Sequence, residues 1–448
     1  MSEKVIKLPL VVTPEVDRIL EGQSRIQNWM YNHLLDHANK LKKEFLNTRD
    51  EKIANIIYTK RGLRNLIPEL KKEYPFLMSV HSSPLKNAAL RLSSSIQDYQ
   101  KCKKGRRKGE ETGWPKFRSV KSKFFSLLYD EPNKGFKIDG RELTVSLGVD
   151  KSGKRLKVKV LLKKSLNSFG ELDVKNLRIV KQNGKYSVCI CVTRKILPPK
   201  EIKKVASIDP NHVNLGHLVS TDGQSIEIEN AYFLKTLQRQ IDSIKSRRDR
   251  CKRKSKQVKK SNGKSHYIPS RRWIFFNNKL DRLYNLRREQ TKVFLYTVAG
   301  KIYSKFDLVS VGDYTPKGGG LNRKMRRSMN NESLIGRFKS TLKWVAERDG
   351  KHYCEWNEMF STKTCSSCGH ILETALTPNK RSWICPECKV THLRDENASV
   401  NGLKRTLKKM VPCSGLSLNI DNLKRCAWKF TGLGVVEGSY RGPVTVAA

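Results

Sequence analysis

Two pairs of cysteines constrain this chain more than any other feature. They stand in "CSSCGHILETALTPNKRSWICPECKV" as Cys365-x2-Cys368 and Cys385-x2-Cys388, with 16 residues between the pairs. Each Cys-x-x-Cys is a tight turn that aims two sulfurs at one ion, and two such turns complete a tetrahedron. The spacing lies in the usual window for a four-thiolate zinc site. A disulfide pair or redox motif is the plainer alternative, but the flanks "CSSCGH" and "CPECK" are those of a zinc ribbon. With sulfur at all four positions the site is closed, so the zinc is structural and any chemistry lies elsewhere.

The other seven cysteines (Cys102, Cys189, Cys191, Cys251, Cys354, Cys413 and Cys426) show no regular spacing and read as free thiols. The odd total of 11, and a start "MSEKVIKLPLVV" too short and interrupted for a secretory signal, point to a reducing compartment. A cytoplasmic location is expected.

The 448 residues leave room for about two to four domains. Lys and Arg number 90 against 42 Asp and Glu, a formal net charge of +48. Such a charge repels itself unless a polyanion neutralises it. No apolar run approaches the roughly 18–20 residues that span a bilayer, which argues against a membrane. Basic residues run through the whole length, so an extended polyanion, nucleic acid, is the partner they fit.

Along the chain, residues 5–12 read as a strand and 15–105 as helices with basic outer faces. From 113 to 200 the pattern becomes short alternating strands, "KFFSLLYD", "FKIDGRELTVSLG", "RLKVKVLLKK" and "NLRIVKQNGKYSVCICVTRK", with Asp-Gly, Ser-Gly and Asn-Gly turns. They predict an antiparallel β-domain, expected to be a barrel. "KKVASIDPNHVNLGHLVSTDGQSIEIEN" then gives a strand ending at Asp209 followed by a hairpin, the way RNase H-like folds begin. Long helices over 229–305 flank a polar loop, "KKSNGKSHYIPS". A buried-type strand "DLVSVGDY", the Gly-rich "TPKGGG", another helix and the strand "KHYCEWNE" lead to the ribbon, and "RDENASVNGLKRTLKKM" is the last helix.

If zinc is a staple, phosphodiester chemistry needs carboxylates, because Mg²⁺ prefers hard oxygen ligands and a two-ion site draws three or four acids from distant segments. Asp209 ends "VASID". Asp395 opens the last helix, where Ala398 and Ser399 are small enough to let it approach a sheet. Taken singly, Asp209 reads equally as a turn residue and Asp395 as a helix N-terminal charge.

Taken together, "VASIDPN…VNLG", the helical insert, the buried strand and "CSSCGH…CPECKVTHLRDENASVNGL" resemble the RuvC half of TnpB proteins. These are transposon-encoded RNA-guided DNA nucleases related to miniature type V CRISPR effectors. "GWPKFRSVKSKFFSL" leading into β-strands fits the N-terminal half, so the resemblance covers about residues 1–410 and is tightest over 361–403. It implies a multidomain α+β chain: a β-barrel (wedge) domain with a helical recognition insert, then an RNase H-like RuvC α/β domain with an inserted four-Cys zinc ribbon. The implied boundaries are 1–14 for the first barrel strand, 15–112 for the insert, 113–202 for the barrel and 203–360 for the first part of RuvC. The ribbon, which meets target nucleic acid, takes 361–391 and the last RuvC segment 392–411. The tail 412–448 lacks a pattern and is expected to be disordered without a partner.

The resemblance also implies a catalytic Mg²⁺ pair, one structural Zn²⁺, and guide RNA and double-stranded target DNA as partners. A monomer is the default and no protein partner is indicated. The family places its glutamate at the end of the middle strand, where this chain has Gly312 in "LVSVGDYTP". Asp313 is adjacent but a one-residue shift turns it to the other face. Glu358, ending "HYCEWNE", is the expected replacement, and Glu355 reads as a surface residue. The expected catalytic and Mg-binding set is therefore Asp209, Glu358 and Asp395.

Arg247 and Arg248 in "KSRRDRCKRKSKQVKK", with Arg326 and Arg327 in "RKMRR", are expected to touch phosphates, which position a duplex without reading bases. Trp29, Tyr74, Trp114 and Phe117 could stack on bases, though core packing explains each one singly. The missing glutamate leaves a second reading open, a nuclease-inactive RNA-guided DNA-binding protein.

Overall fold

The computed structural model describes residues 2–106, 111–119, 124–150, 152–170, 172–194, 197–259, 265–314, 333–374, 376–377, 380–410 and 422–440. The chain divides into two compact units, Met1–Lys195 and Ile196–Ala448.

The first unit opens with β1 (Ser2–Val11) and then α1 (Pro14–Thr48). Thr13 caps α1 by accepting the Val16 N–H, Pro14 sits in its first turn, and Arg49 ends it in the left-handed region at φ 56°. The helices α2 (Glu51–Tyr58), α3 (Gly62–Asn65), α4 (Ile67–Glu73) and α5 (Ser82–Lys103) pack on it around Met30, Leu34, Leu85, Leu92 and Ile96. Six further strands follow: β2 (Phe125–Tyr129), β3 (Phe136–Asp139), β4 (Glu142–Val149), β5 (Arg155–Leu162), β6 (Val174–Gln182) and β7 (Lys185–Arg194).

All ladders of this sheet are antiparallel, in the order β2-β6-β7-β1-β5-β4-β3. The β6–β7 turn is Asn183–Gly184 with both φ positive, 51° and 73°, the geometry that the right-handed twist of a two-residue hairpin selects. Alternate residues of every strand, from Ile6 and Leu8 to Ile190 and Val192, enter one core, so the sheet curls around it as a barrel does. Among the described residues no ladder joins β2 to β3, so the curl is not closed by hydrogen bonds.

The second unit is built on another seven-stranded sheet. Its elements are β8 (Val205–Pro210), β9 (Gly216–Ser220), β10 (Gln224–Ile228), α6 (Phe233–Arg250), the small hairpin β11 (Lys256–Lys259) and β12 (Ser265–Ile268), and α7 (Arg271–Lys305). Then come β13 (Leu308–Gly312), α8 (Ile335–Asp349), β14 (His352–Trp356), β15 (Ser382–Ile384), β16 (Thr391–Leu393), α9 (Arg394–Met410), β17 (Lys424–Thr431) and β18 (Gly434–Ser439). The sheet order is β14-β13-β8-β9-β10-β17-β18, with β15 and β16 forming a separate pair.

Period-two alternation divides this sheet between two cores. Ala206, Ile208, Val309 and Val311 face α7 and α8. Val205, Val219 and Leu308 face α9 through Val400 and Leu403. Gly402 lets α9 come close: a Cβ there would lie 2.4 Å from the Trp356 ring and 2.5 Å from Ser207 Oγ.

Three expectations need correcting. The tail after 411 does not lack structure throughout, because β17 pairs in parallel with β10 and buries Trp428 in the larger core. Part of the expected polar loop "KKSNGKSHYIPS" belongs to the β11–β12 hairpin. Glu358 lies two residues beyond β14 rather than on it. The "TPKGGG" stretch falls outside the described residues.

Candidate functional site

The ribbon folds as two matching knuckles. Gly369 and Lys389 follow the second cysteine of each pair with positive φ, and their N–H groups donate to the Cys365 and Cys385 carbonyls at 3.0 Å. All four sulfurs lie within 4.8 Å of one another. Cys365 and Cys388 are 3.6 Å apart, as are Cys368 and Cys385. A tetrahedron with Zn–S bonds of about 2.3 Å puts its sulfurs roughly 3.8 Å apart, so the cluster fits a zinc ion. His392, on β16, places Nε2 3.0 Å from Cys365 Sγ and packs its ring on Trp383, as an outer partner orienting a ligand would. The sequence alone did not single it out, although its place four residues after Cys388 was a usable signal.

The ribbon's first knuckle is bolted to α9. Asn397 and Asn401, one turn apart, both donate to the Thr364 carbonyl at 2.8 Å, and Asn397 Oδ1 accepts the Ser366 N–H. The i, i+4 spacing in "DENASVN" carried that information. Lys404 adds a bond to the Ser366 carbonyl.

Asp209 sits near the end of β8, buried, on the face of the sheet that carries Val205 and Ser207 and so faces α9. Burial raises its carboxyl well above the usual range, and the charges of Asp395 and Glu358 add to the rise. Asp395 and Glu358 thus both lie within electrostatic reach of Asp209. Gly312 belongs to the same face of the neighbouring strand by alternation from Leu308. A Cβ at Gly312 would fall 1.8 Å from Glu358 Oε1, so the Glu358 carboxyl occupies the space a side chain at 312 would need.

Burial pushes Glu358 up to about 7, against the Tyr314 backbone hydrogen bond and the nearby Lys339 ammonium. Its Oε1 is buried without a hydrogen-bond partner. Asp313 is exposed and accepts the Glu358 N–H at 3.1 Å, and Glu355 is exposed beside the Tyr353 hydroxyl.

Asp395 opens α9 and is held from three sides. Asn211 donates to Oδ2 at 2.6 Å, Arg381 of the ribbon reaches the same oxygen at 3.1 Å, and Arg394 reaches Oδ1 at 3.0 Å. Asn211 and Arg381 were not singled out from the sequence, because pairing across 184 and 14 residues leaves no local pattern. Among the described residues the cysteines alone bring three or more potential ligand atoms into one coordination sphere. Asp209, Glu358 and Asp395 do not form such a group.

Of the expected phosphate contacts, Arg247 is exposed near the end of α6. Arg248 is engaged with Asp249 and Asn277 and lies over the Trp273 ring. Arg326 and Arg327 fall outside the described residues. In the first unit, Trp29 stacks on His33 with Tyr74 and Phe76 edge-on. Trp114 bonds Asn39, and Phe117 is exposed.

Comparison with known proteins gives a consistent picture. Residues 336–401 match the model of the Cas12f1-like TNB domain family. TnpB-like proteins L79 and R854 of Acanthamoeba polyphaga mimivirus are each 27% identical over 147 residues, 32% of this chain. The matched stretch spans only 28% and 27% of those relatives. Among solved structures, the fold is similar to the protein of a Cas12f1-sgRNA-target DNA complex, with TM-score 0.56, 10% identity, and coverage of 89% of this chain and 98% of that one. The family match over 336–401, the TnpB-like relatives and the likeness of fold to the Cas12f1 protein thus point the same way.

Proposed function

We propose that this chain, a relative of TnpB and the miniature type V effectors, is an RNA-guided DNA endonuclease. Asp209, Glu358 and Asp395 would hold divalent magnesium and hydrolyse target-DNA phosphodiesters. The observation that carries the reading is the Glu358 carboxyl lying over Gly312, on the sheet face of Asp209. In this reading a glutamate from a later segment supplies the carboxylate that the family's strand glutamate would bring.

The donor set suits a hard cation. Its oxygens are carboxylates, one buried oxygen has no hydrogen-bond partner, and Asp209 and Glu358 carry raised pKa values that a cation would offset. When bound, magnesium supplies activation of water and neutralisation of the charge that develops on the phosphate. The chain supplies the rest. Asn211 orients Asp395, the Tyr314 N–H orients Glu358, and Arg381 and Arg394 set positive charge where a phosphate would lie. A cavity of about 410 Å³ with Asn211, His212, Lys235 and Arg287 in its wall is linked to the acids through Asn211, the partner of Asp395, and would give a nucleotide room there.

The guide would read sequence by base pairing while the protein reads duplex shape and a short flanking motif. The sgRNA and target DNA bound in the Cas12f1 complex, and a net charge of +48 here, support both nucleic acids as partners. The glycine at 312 and the arginine pairs on Asp395 favour a second reading, guided binding without cutting. The two are separated by incubating the purified protein and its co-expressed RNA with a plasmid library of randomised flanks, with Mg²⁺ or with EDTA. Metal-dependent cutting that Glu358→Ala and Asp395→Ala each abolish is expected. Guided binding with no cutting by the wild type would overturn the nuclease.

A further inference from the structure

Beside Asp209 and Asp395 runs a polar chain, buried at His217, Ser225 and Glu396 and exposed at Arg425, that the proposed chemistry does not use. Glu396, next to Asp395 in the first turn of α9, is buried and takes a two-pronged ion pair from Arg425, with Nε to Oε2 at 2.9 Å and Nη2 to Oε1 at 3.0 Å. The Ser225 hydroxyl donates to the same Oε2 at 2.6 Å, and His217 Nε2 meets that hydroxyl at 2.9 Å. His217 is the register partner of Asp209 across β8 and β9, and Ser225 is the register partner of Arg425 across β10 and β17. The chain therefore begins opposite one acid, crosses three strands and ends beside another.

We propose that the C-terminal hairpin β17–β18 completes the site: Arg425, through Glu396, Ser225 and His217, is a positioning residue for Asp395 and Asp209. The inference rests on the nuclease reading for its purpose, and on the geometry above for its content. A bidentate guanidinium–carboxylate pair fixes both distance and plane. Successive helix residues have fixed angular offsets, so clamping Glu396 sets the direction in which Asp395 leaves α9. The pair also removes a charge problem. Without Arg425 a fourth carboxylate would stand buried with no ion-pair partner, held by the Ser225 hydroxyl alone, beside the acids that must gather cations.

The hairpin is well placed to hold such a clamp. Trp428 of β17 is 1% exposed, and Phe430 packs edge-on against Phe294 of α7 at 5.3 Å. Strand β17, next to β10 in the same sheet, thus reaches α9 through the Arg425 side chain, as the outer partners of metal ligands do.

The test uses the full-length chain and Mn²⁺ as the probe, with free Mn²⁺ read by electron paramagnetic resonance. Arg425→Gln and Ser225→Ala are compared with wild type, Arg425→Lys and Asp209→Ala, with melting temperature and amide exchange over 394–399 recorded for each. Arg425→Gln is expected to weaken the Asp209-dependent Mn²⁺ site about 10–100-fold, the range for loss of an outer partner of a metal ligand. Exchange over 394–399 should quicken, and Arg425→Lys should recover part of both effects. Ser225→Ala removes one oxygen, so its weakening should appear even if Arg425→Gln fails to fold. Unchanged Mn²⁺ affinity in the folded variants, or lower melting temperature with affinity and exchange intact, would overturn the proposal. A wild type indistinguishable from Asp209→Ala in Mn²⁺ binding would defeat the nuclease reading instead, while exchange over 394–399 would still decide the positioning role.

Discussion

At residue 312 there is no room for a side chain, because the Glu358 carboxyl fills the space. In the proposed reading, a strand position that keeps only its backbone and a carboxylate from two residues past the next strand amount to one group supplied from another part of the chain. Its environment has a measurable consequence. Glu358 titrates at about 7 in the fold against an ordinary 4.5. The folded chain therefore holds a proton that the unfolded chain has already released. The resulting stability is complete below about pH 4.5 and is lost as the pH rises through about 7. Without magnesium, Glu358→Gln should remove this fall and melt above the wild type on the alkaline side of neutrality, as thermal unfolding across that range would show. A glutamine variant that follows the wild-type profile would contradict it. Asp209 and Asp395 stood out in the sequence as acids at element ends in a basic chain. Asn211 and Arg381 did not, because their meaning exists only once Asp395 is beside them.

At the scale of elements, α9 does the assembling. One side meets the sheet through Gly402, Val400 and Leu403, and another grips the ribbon through Asn397, Asn401 and Lys404. Among the described residues the ribbon's core is small, Trp383 and the cysteines with Leu372 and Leu376 against them, so zinc must supply most of its stability. Removing zinc, or replacing Cys385 with Ser, should therefore release Thr364 and Ser366 from α9 and quicken amide exchange over 394–404, while β1 to β7 stay protected. Exchange that spreads evenly over the whole chain, or leaves α9 untouched, would show that the ribbon and helix are not coupled. Helix α9 itself was legible from its capping acids and apolar spacing. The β17–β18 hairpin was not, since β17 is a mixed strand whose partner, β10, lies about two hundred residues earlier.

Over the whole molecule, 90 basic residues against 42 acidic ones make electrostatic attraction dominate any association with RNA or DNA. The logarithm of affinity for the guide should fall linearly with the logarithm of salt concentration, losing about 10³–10⁵ between roughly 50 and 200 mM if six to ten phosphates are neutralised. A filter-binding series that stays flat would remove the polyanion argument. Among the described residues no helix is long and apolar enough to cross a membrane. What the sequence determined by itself was whatever is local or periodic: the cysteine spacing, the alternation of the strands, the Asn-Gly turn, the helices and the charge. Tertiary structure alone decided which acid stands over Gly312, which arginines meet Asp395, and that Arg425 reaches Glu396. The reason is physical. Spacing along a chain fixes what a helix or a turn can bring together, whereas an ion pair between distant segments is selected by packing and desolvation, and neither acts until the sheet has formed.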